Sequence, residues 1–356
     1  ELGSSVAAST PSSLYAKAYC VMDTESGRFL LSQNENKKMP MASTTKIMTA
    51  LTALANAEPD RVICIPREAV GVEGSSVYLA EGEKLTLCDL LYALLLQSAN
   101  DAAAAIAIDI GGSIAGFADL MNAEAEKLGL TDTHFCNPHG LDNEEHYTTA
   151  RELATVTRAA LADPLIRKIV GTVKATIPQG DDPDARLLVN HNRLLRSYSG
   201  AIGVKTGFTK RSGRCLVSAA ERNGVTLIAV TLNDDWRDHA AMLDYGFTRY
   251  RSVTLCGTGD RACDLPVTGG TVDSVALRYA ADLTVALPIG HAPLNCTIEA
   301  PHFLYAPVPP DREVGYAVFT CDLDGDGKQE EIGRVPLVTG EKADRKPLQK
   351  RGFFAW

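Results

Sequence analysis

Three short clusters combine residue types that can activate a hydroxyl and hold an anion. Ser43-Thr44-Thr45-Lys46 sets a serine and a lysine three residues apart, and on a helix that spacing puts both on one face. A serine hydroxyl is a weak nucleophile until a neighbouring base takes its proton. Read as a plain helix cap, Ser43 needs no such partner, but Lys46 is then unexplained. A cation in the first turn meets the positive end of the helix dipole, where an acid is preferred. That field disfavours the ammonium and lowers its pKa, which suits a general base. Ser98-Ala99-Asn100 reads either as the cap of the following helix or as a hydroxyl that relays a proton beside an amide that binds a substrate amide. Lys205-Thr206-Gly207 lies in a strand pattern. Glycine there lets another backbone come close, and an edge strand can pair with an extended peptide. Thr206 and Lys205 are then placed to receive a carboxylate.

The elements that must carry these clusters follow from periodicity. Residues 16–23 and 28–32 read as a hairpin around Thr24-Glu25-Ser26-Gly27. Helical spacing runs over 44–57, with Ile47, Leu51, Leu54 and Ala55 on one face. Residues 85–97 predict a buried helix and 101–110 an Ala-rich one stopped by Gly111-Gly112. A polar loop over 131–148 gives way to a helix over 150–162. Strands follow at 203–208, 215–220 and 225–233, the last two joined by the hairpin signal Asn223-Gly224. Residues 238–250 predict a closing helix. Strands, helices, strands and a helix in that order imply one antiparallel sheet, built from both ends of the domain, with helices packed on it. Beyond Arg251 helical periodicity vanishes, and short Val-, Leu- and Thr-rich runs alternate with turn residues. That predicts a small all-β domain. The expected boundaries are an extended or disordered segment at 1–15, a first domain at 16–250 and a β-rich domain at 251–356.

Composition bounds the function classes. The 356 residues fit two domains, and a net charge of -9 argues against a nucleic-acid partner. The nine cysteines are odd in number and contain no Cys-x-x-Cys pair, so metal-site templates fail and most thiols read as small buried apolar groups. His134, His139 and His146 near Cys136 match no metal-site spacing. The run Asp322-Leu323-Asp324-Gly325-Asp326-Gly327 starts like a calcium loop, but Gly333 stands where an EF-hand needs Glu, so a charged hairpin turn is expected. No metal or other cofactor is expected. No secretory leader or apolar run of membrane-spanning length is visible, and residues 1–13 read as a trimmed mature end.

Taken together, the clusters resemble the trio Ser-x-x-Lys, Ser-Asp-Asn and Lys-Thr-Gly that marks penicillin-binding proteins and class A β-lactamases. The surrounding segments are similar to the low-molecular-mass penicillin-binding proteins, the D-Ala-D-Ala carboxypeptidases of serine peptidase family S11. They are Pro40-Met41-Ala42-Ser43-Thr44-Thr45-Lys46-Ile47-Met48-Thr49, Gly74-Ser75-Ser76, Leu96-Gln97-Ser98-Ala99-Asn100-Asp101-Ala102, Phe135-Cys136-Asn137-Pro138-His139-Gly140-Leu141 and Val204-Lys205-Thr206-Gly207-Phe208-Thr209. The resemblance covers residues 16–250, and the later region resembles the family's C-terminal domain in texture and position. It implies an α+β fold: a β-lactamase/transpeptidase-like catalytic domain, with an antiparallel sheet and helices on both sides, followed by a small all-β domain.

The resemblance also implies roles. Ser43 would be the acylated nucleophile and Lys46 its base. Ser98 and Asn100 would sit over the scissile bond, with Ser98 in the proton relay. Lys205 and Thr206 would contact the substrate's terminal carboxylate. The N–H groups of Ser43 and Phe208, next to Gly207, would form an oxyanion hole, each donor contributing on the order of 3 kcal/mol. Phe208 stands where some members have His or Tyr, but only its backbone is needed. Arg237 resembles the family's arginine near the carboxylate, its alternative being a surface ion pair. The implied partners are a peptidoglycan stem peptide ending in D-Ala-D-Ala and β-lactams as covalent inhibitors, outside the bacterial cytoplasm. Many members end in an amphipathic membrane anchor, and the short basic and aromatic run 345–354 reads as the truncated start of one, the anchor itself being lost from this chain. Two rivals share the fold. A β-lactamase would carry Glu-x-x-Leu-Asn in its loop, whereas Glu144 and Glu145 here do not fit that pattern and the middle cluster is Ser-Ala-Asn. A non-catalytic wall-binding or β-lactam-sensing protein would not need the full set of Ser43, Lys46, Ser98, Asn100 and Lys205.

Overall fold

The computed structural model describes residues 11, 14–180, 182–233, 236–323 and 325–347, apart from the side chains of 183–185. Most of the expected 1–15 segment, and the basic and aromatic run beyond Pro347, lie outside the described residues. The chain divides into two compact units, Glu1–Arg249 and Tyr250–Trp356.

The first unit opens on the hairpin β1 (Ala18–Asp23) and β2 (Phe29–Gln33). A 3-10 turn over Ala42–Thr45 runs into α1 (Lys46–Asn56). The short pair β3 (Val62–Cys64) and β4 (Lys84–Thr86) precedes α2 (Leu87–Leu96), α3 (Asn100–Gly111) and α4 (Ile114–Lys127). A long loop leads to α5 (Ala150–Ala162), α6 (Pro164–Gly171), the hairpin β5 (Lys174–Gln179) and β6 (Asp182–Val189), and the one-turn α7 (Leu194–Ser197). Three long strands follow, β7 (Ala201–Thr209), β8 (Gly213–Arg222) and β9 (Val225–Leu232), and α8 (Asp238–Arg249) closes the unit.

Local chemistry sets these boundaries. Thr86 and Asp89 form a reciprocal capping box at the start of α2. Gly112, at φ 72°, ends α3 in the left-handed conformation that glycine adopts without penalty. Asp163 caps α6 with proline at its first position. Asn223 and Gly224 both take positive φ, which makes the two-residue turn that matches strand twist.

The sheet order is β2-β1-β9-β8-β7, every pair antiparallel. It joins strands from both ends of the unit, as the sequence implies, and leaves β7 at an edge. Successive residues of β1 face opposite sides: the Cys20 thiol donates to Ala150 O of α5 at 3.2 Å, while Val21 abuts Gly246 of α8. Helices therefore cover both faces. The sequence pattern did not reveal α4, α6 or the β5–β6 hairpin. Only four residues of α4 are buried, and β5–β6 is a two-stranded, largely exposed pair. Weak burial leaves a weak hydrophobic period.

Helices α2 and α3 are enclosed: Leu90, Leu91, Leu94 and Ala102–Ala105 are almost wholly buried. Burying each leucine side chain contributes roughly 2 kcal/mol, so the loop between these helices rests on a rigid base. Among the described residues no single helix is long and apolar enough to cross a membrane. Only α3 and α4 taken together reach that length and composition, and they bend by 82°.

The second unit consists of strands among the described residues: β10 (Tyr250–Cys256), β11 (Arg261–Thr268), β12 (Ser274–Tyr279), β13 (Leu283–Pro288), β14 (Asn295–Glu299), β15 (Leu304–Tyr305), β16 (Glu313–Cys321) and β17 (Glu330–Thr339). Six pair in the order β14-β16-β17-β12-β11-β15, and β10 pairs with β13. The acidic run lies in the β16–β17 hairpin. There the Asp322 carboxylate accepts from the N–H groups of Gly325, Asp326 and Gly327 and Lys328 pairs with Asp326.

Candidate active site

Ser43 does not cap α1. Thr45 holds the cap position without a side-chain cap bond, and Ser43 sits inside the preceding 3-10 turn. The neighbouring threonines hold that turn: Thr44 Oγ1 donates to Met41 O at 2.6 Å and Thr45 Oγ1 to Ala42 O at 2.7 Å. His146 braces the arrangement. Its Nδ1 accepts from the Cys136 N–H at 3.0 Å, so its proton is on Nε2, which lies 2.8 Å from Thr45 Oγ1. Burial, with His134 and Lys46 nearby, pushes the His146 pKa down to about 4, so the ring is neutral near pH 7.

Lys46 is the first residue of α1 and is completely buried. Its Nζ lies 3.0 Å from Ser43 Oγ, 2.6 Å from Asn100 Oδ1 and 2.6 Å from His139 O. Asn100, the first residue of α3, is fixed in that orientation because its amide nitrogen donates to Glu73 O at 2.6 Å. Burial first, and then the charge of Lys205, holds the Lys46 pKa well below the usual lysine range, with Asp101 opposing. A neutral amine has two N–H bonds and one lone pair. Asn100 Oδ1 and His139 O can only accept, so they take both N–H bonds. The lone pair is left facing Ser43 Oγ, the one partner that has a proton to give.

The loop bearing His139 is tied to α1 and to the turn. Thr49 Oγ1 donates to Pro138 O at 2.6 Å, and Asn137 Oδ1 accepts from Gly140 N at 2.7 Å. Gly140, at φ 86°, packs on Ala42 O so closely that a Cβ would overlap it. Asp101, buried behind Asn100, accepts from Ser76 Oγ at 2.6 Å and from the N–H groups of Val77 and Leu79. It thereby fixes the strip that includes Ser75, whose carbonyl receives the Asn100 N–H at 2.7 Å.

Edge strand β7 forms the opposite wall. A Cβ on Gly207 would lie 2.9 Å from Ser43 N, so only glycine lets the strand approach the turn this closely. Lys205 is buried, and its Nζ donates to Thr206 O at 2.8 Å; burial alone pushes its pKa down to about 7. Between the walls is a cleft of about 480 Å³ lined by Ser43, Ser75, Ser98, Thr206, Gly207 and Phe208, together with the 189–196 segment and Trp236. Ser98 reaches it through a left-handed backbone, at φ 60°. Six of the nine residues singled out in the sequence thus either line this cleft or bond to Ser43: Ser43, Lys46, Ser98, Thr206, Gly207 and Phe208. Asn100 joins them through Lys46, and Lys205 lies within electrostatic reach of it. Arg237 is exposed and its guanidinium lies 4.1 Å from the Tyr15 ring; it is not itself among the lining residues, whereas its neighbour Trp236 is.

The model of the D-alanyl-D-alanine carboxypeptidases, peptidase family S11, matches residues 4–236. This chain belongs to that family. D-alanyl-D-alanine carboxypeptidase DacF of Bacillus subtilis is 29% identical over 96% of this chain and 88% of its own length. DacC of Escherichia coli is 31% identical over 96% and 86%. The solved structure of penicillin binding protein 5 from Haemophilus influenzae superposes with a TM-score of 0.79 at 26% identity, covering 95% of this chain and all of its own. The two-part fold, a helix-covered antiparallel sheet and an all-β second unit, is the one these carboxypeptidases share.

Within this carboxypeptidase site, sequence reasoning missed the supporting groups. His139 contributes its backbone oxygen, which no side-chain pattern announces. Its partly buried ring lies near Lys46 and is kept neutral, its pKa pushed down to about 3 by loss of solvent first. Asp101 was legible as an acid in the first turn of an apolar helix, a position that favours a structural anchor. His191, Arg193 and Arg196 precede β7 without belonging to any of the three clusters, and only the fold brings them to the cleft.

Proposed function

We propose that this enzyme removes the terminal D-alanine from peptidoglycan stem peptides ending in D-Ala-D-Ala, through an acyl-enzyme on Ser43. The observation that carries this reading is the buried Lys46 amine, held by two carbonyl oxygens at 2.6 Å and lying 3.0 Å from Ser43 Oγ. The serine proton passes to Lys46 as Oγ bonds to the penultimate carbonyl carbon. The resulting oxyanion is received by the N–H groups of Ser43 and Phe208, which the Gly207 contact brings together. Collapse of the intermediate breaks the peptide bond, the leaving amine takes a proton relayed through Ser98, and D-alanine departs. Water then attacks the ester, its proton taken by the same base, and restores Ser43. Lys205 and Thr206 hold the terminal carboxylate from the β7 side. No cofactor enters these steps.

β-Lactams present a strained amide to the same serine and acylate it. Among the described residues that line the cleft there is no aspartate or glutamate, which weighs against the β-lactamase reading. The chemistry belongs to the first unit. The wall substrate supports a location outside the bacterial cytoplasm.

The direct test is D-alanine release from diacetyl-L-Lys-D-Ala-D-Ala. Native protein releases it and Ser43→Ala does not; release by Ser43→Ala at the native rate refutes the assignment of the nucleophile.

A further inference from the structure

Between β3 and β4 the chain passes through a left-handed backbone at Gly71, Gly74, Tyr78 and Gly82. Three of these positions carry the residue that adopts such a backbone without penalty. The other carries a tyrosine, at φ 58°, where a bulky side chain is a conformational outlier. For the fold alone, glycine would serve at least as well there. The neighbours hold the strained residue in place. The Asp101 carboxylate accepts from the N–H groups of Val77 and Leu79 at 3.2 and 3.0 Å. Ser76 Oγ, itself bonded to Asp101, accepts from the Tyr78 N–H at 2.9 Å. Val77 and Leu79 are buried on either side, while Tyr78 is turned out with 84% of its surface exposed. Strained residues held in this way cluster at binding and catalytic sites.

The strip is continuous with the site. Ser75 lines the cleft, and the carbonyls of Glu73 and Ser75 hold Asn100. Tyr78 is outside that lining, three residues beyond Ser75, a span of at most about 10 Å. An extended peptide advances roughly 3.5 Å per residue, so stem residues two or three places from the scissile bond come within its reach. Lys205 and Thr206, on the opposite wall, are taken by the terminal carboxylate. This strip is therefore left for the stem upstream of the bond. A tyrosine offers such a chain a flat apolar face and has only two torsions to immobilise. Among the described residues, its ring and hydroxyl make no hydrogen bond or ring contact that would occupy them.

We propose that Tyr78 is a subsite for the acyl-donor part of the stem peptide, the residues that precede D-Ala-D-Ala, and that its ring packs on them where the chain leaves the cleft. The inference rests on Ser43 being the nucleophile of a carboxypeptidase and adds a determinant of substrate length. Tyr78 touches no reacting atom, so its role is specificity and not bond breaking.

The test compares N-acetyl-D-Ala-D-Ala with the pentapeptide L-Ala-γ-D-Glu-L-Lys-D-Ala-D-Ala, which differ only upstream of the scissile pair, using native enzyme, Y78G, Y78N and Y78F. Glycine and asparagine both tolerate the left-handed backbone, so two independent variants remove the ring without adding strain. The readout is the ratio of kcat/KM for the long over the short substrate. Covering about half of a tyrosine ring corresponds to roughly a tenfold effect on binding. The ratio should fall by about that much in Y78G and Y78N, chiefly through KM of the pentapeptide, and stay within about twofold of native in Y78F, which keeps the ring. A ratio that stays at the native value in both ring-less variants overturns the proposal, whether or not overall activity drops. A native enzyme that releases D-alanine from both substrates without preferring the long one also overturns it, and leaves the carboxypeptidase reading intact. If native enzyme releases D-alanine from neither substrate, while penicillin still labels Ser43, that reading itself fails and takes the subsite with it.

Discussion

At the residue scale the site is a problem of proton inventory. Lys46 can act as a base only if it is neutral, and burial and a second lysine nearby push its pKa in that direction, with Asp101 opposing. The pH dependence of kcat/KM follows, since it reports groups of the free enzyme. On the acid side the rate rises with pH as Lys46 gives up its proton. On the alkaline side it declines as Lys205 loses its charge around its depressed pKa of about 7. Because the two lysines interact, both limbs belong to the pair. In Lys205→Arg the cation cannot be lost in this range, so the alkaline limb should disappear even where the absolute rate falls. An unaltered limb in that variant would assign it to another group. The three clusters were legible in sequence because their chemistry needs particular side chains. His139 was not, because its contribution is a carbonyl oxygen that any residue possesses.

At the element scale the site depends on how closely β7 meets the turn that leads into α1. The Gly207 position admits no side chain, since a Cβ would press on Ser43 N at 2.9 Å. Gly207→Ala should shift the Ser43 N–H relative to Phe208 and lower the rate of acylation about a hundredfold, the typical result of an ångström-scale misplacement. Its urea midpoint should change little by comparison. Stopped-flow acylation by a chromogenic cephalosporin, read beside urea titration, separates the two; a native acylation rate would mean that this contact does not shape the oxyanion site. Sequence periodicity located α1, α2, α3, α5, α8 and the five sheet strands because each buries one regular face. It missed α4 and the β5–β6 hairpin, which bury little. It also extended the helical pattern back to residue 44, where the backbone is a 3-10 turn through Thr45. That difference matters, since the tighter turn frees Ser43 from capping.

At the scale of the whole first unit, two buried histidines and the partly buried His139 make acid a specific threat to the fold. His239 joins α8 to the sheet through Ser218 Oγ at 2.5 Å and Thr231 Oγ1 at 2.7 Å, and burial pushes its pKa down to about 3. His139 is lowered to about 3 and His146 to about 4. Each is neutral when folded, whereas the unfolded chain binds a proton near pH 6.5. The stability they contribute is therefore complete above about pH 6.5. It is lost as pH falls toward the folded values, at up to roughly 1.4 kcal/mol per pH unit for each ring. Urea midpoints should drop steeply between pH 6.5 and 4, and His239→Gln should show a shallower slope. A midpoint that is flat across that window would mean these rings are protonated in the folded protein.

The central claim is that Ser43 is the nucleophile, and intact-protein mass spectrometry after incubation with benzylpenicillin tests it most directly. One penicilloyl adduct should form on the native chain, map to the peptide containing Ser43 and persist for many minutes, and Ser43→Ala should remain unmodified. Equal labelling of Ser43→Ala, or no labelling of the native protein, would contradict the claim.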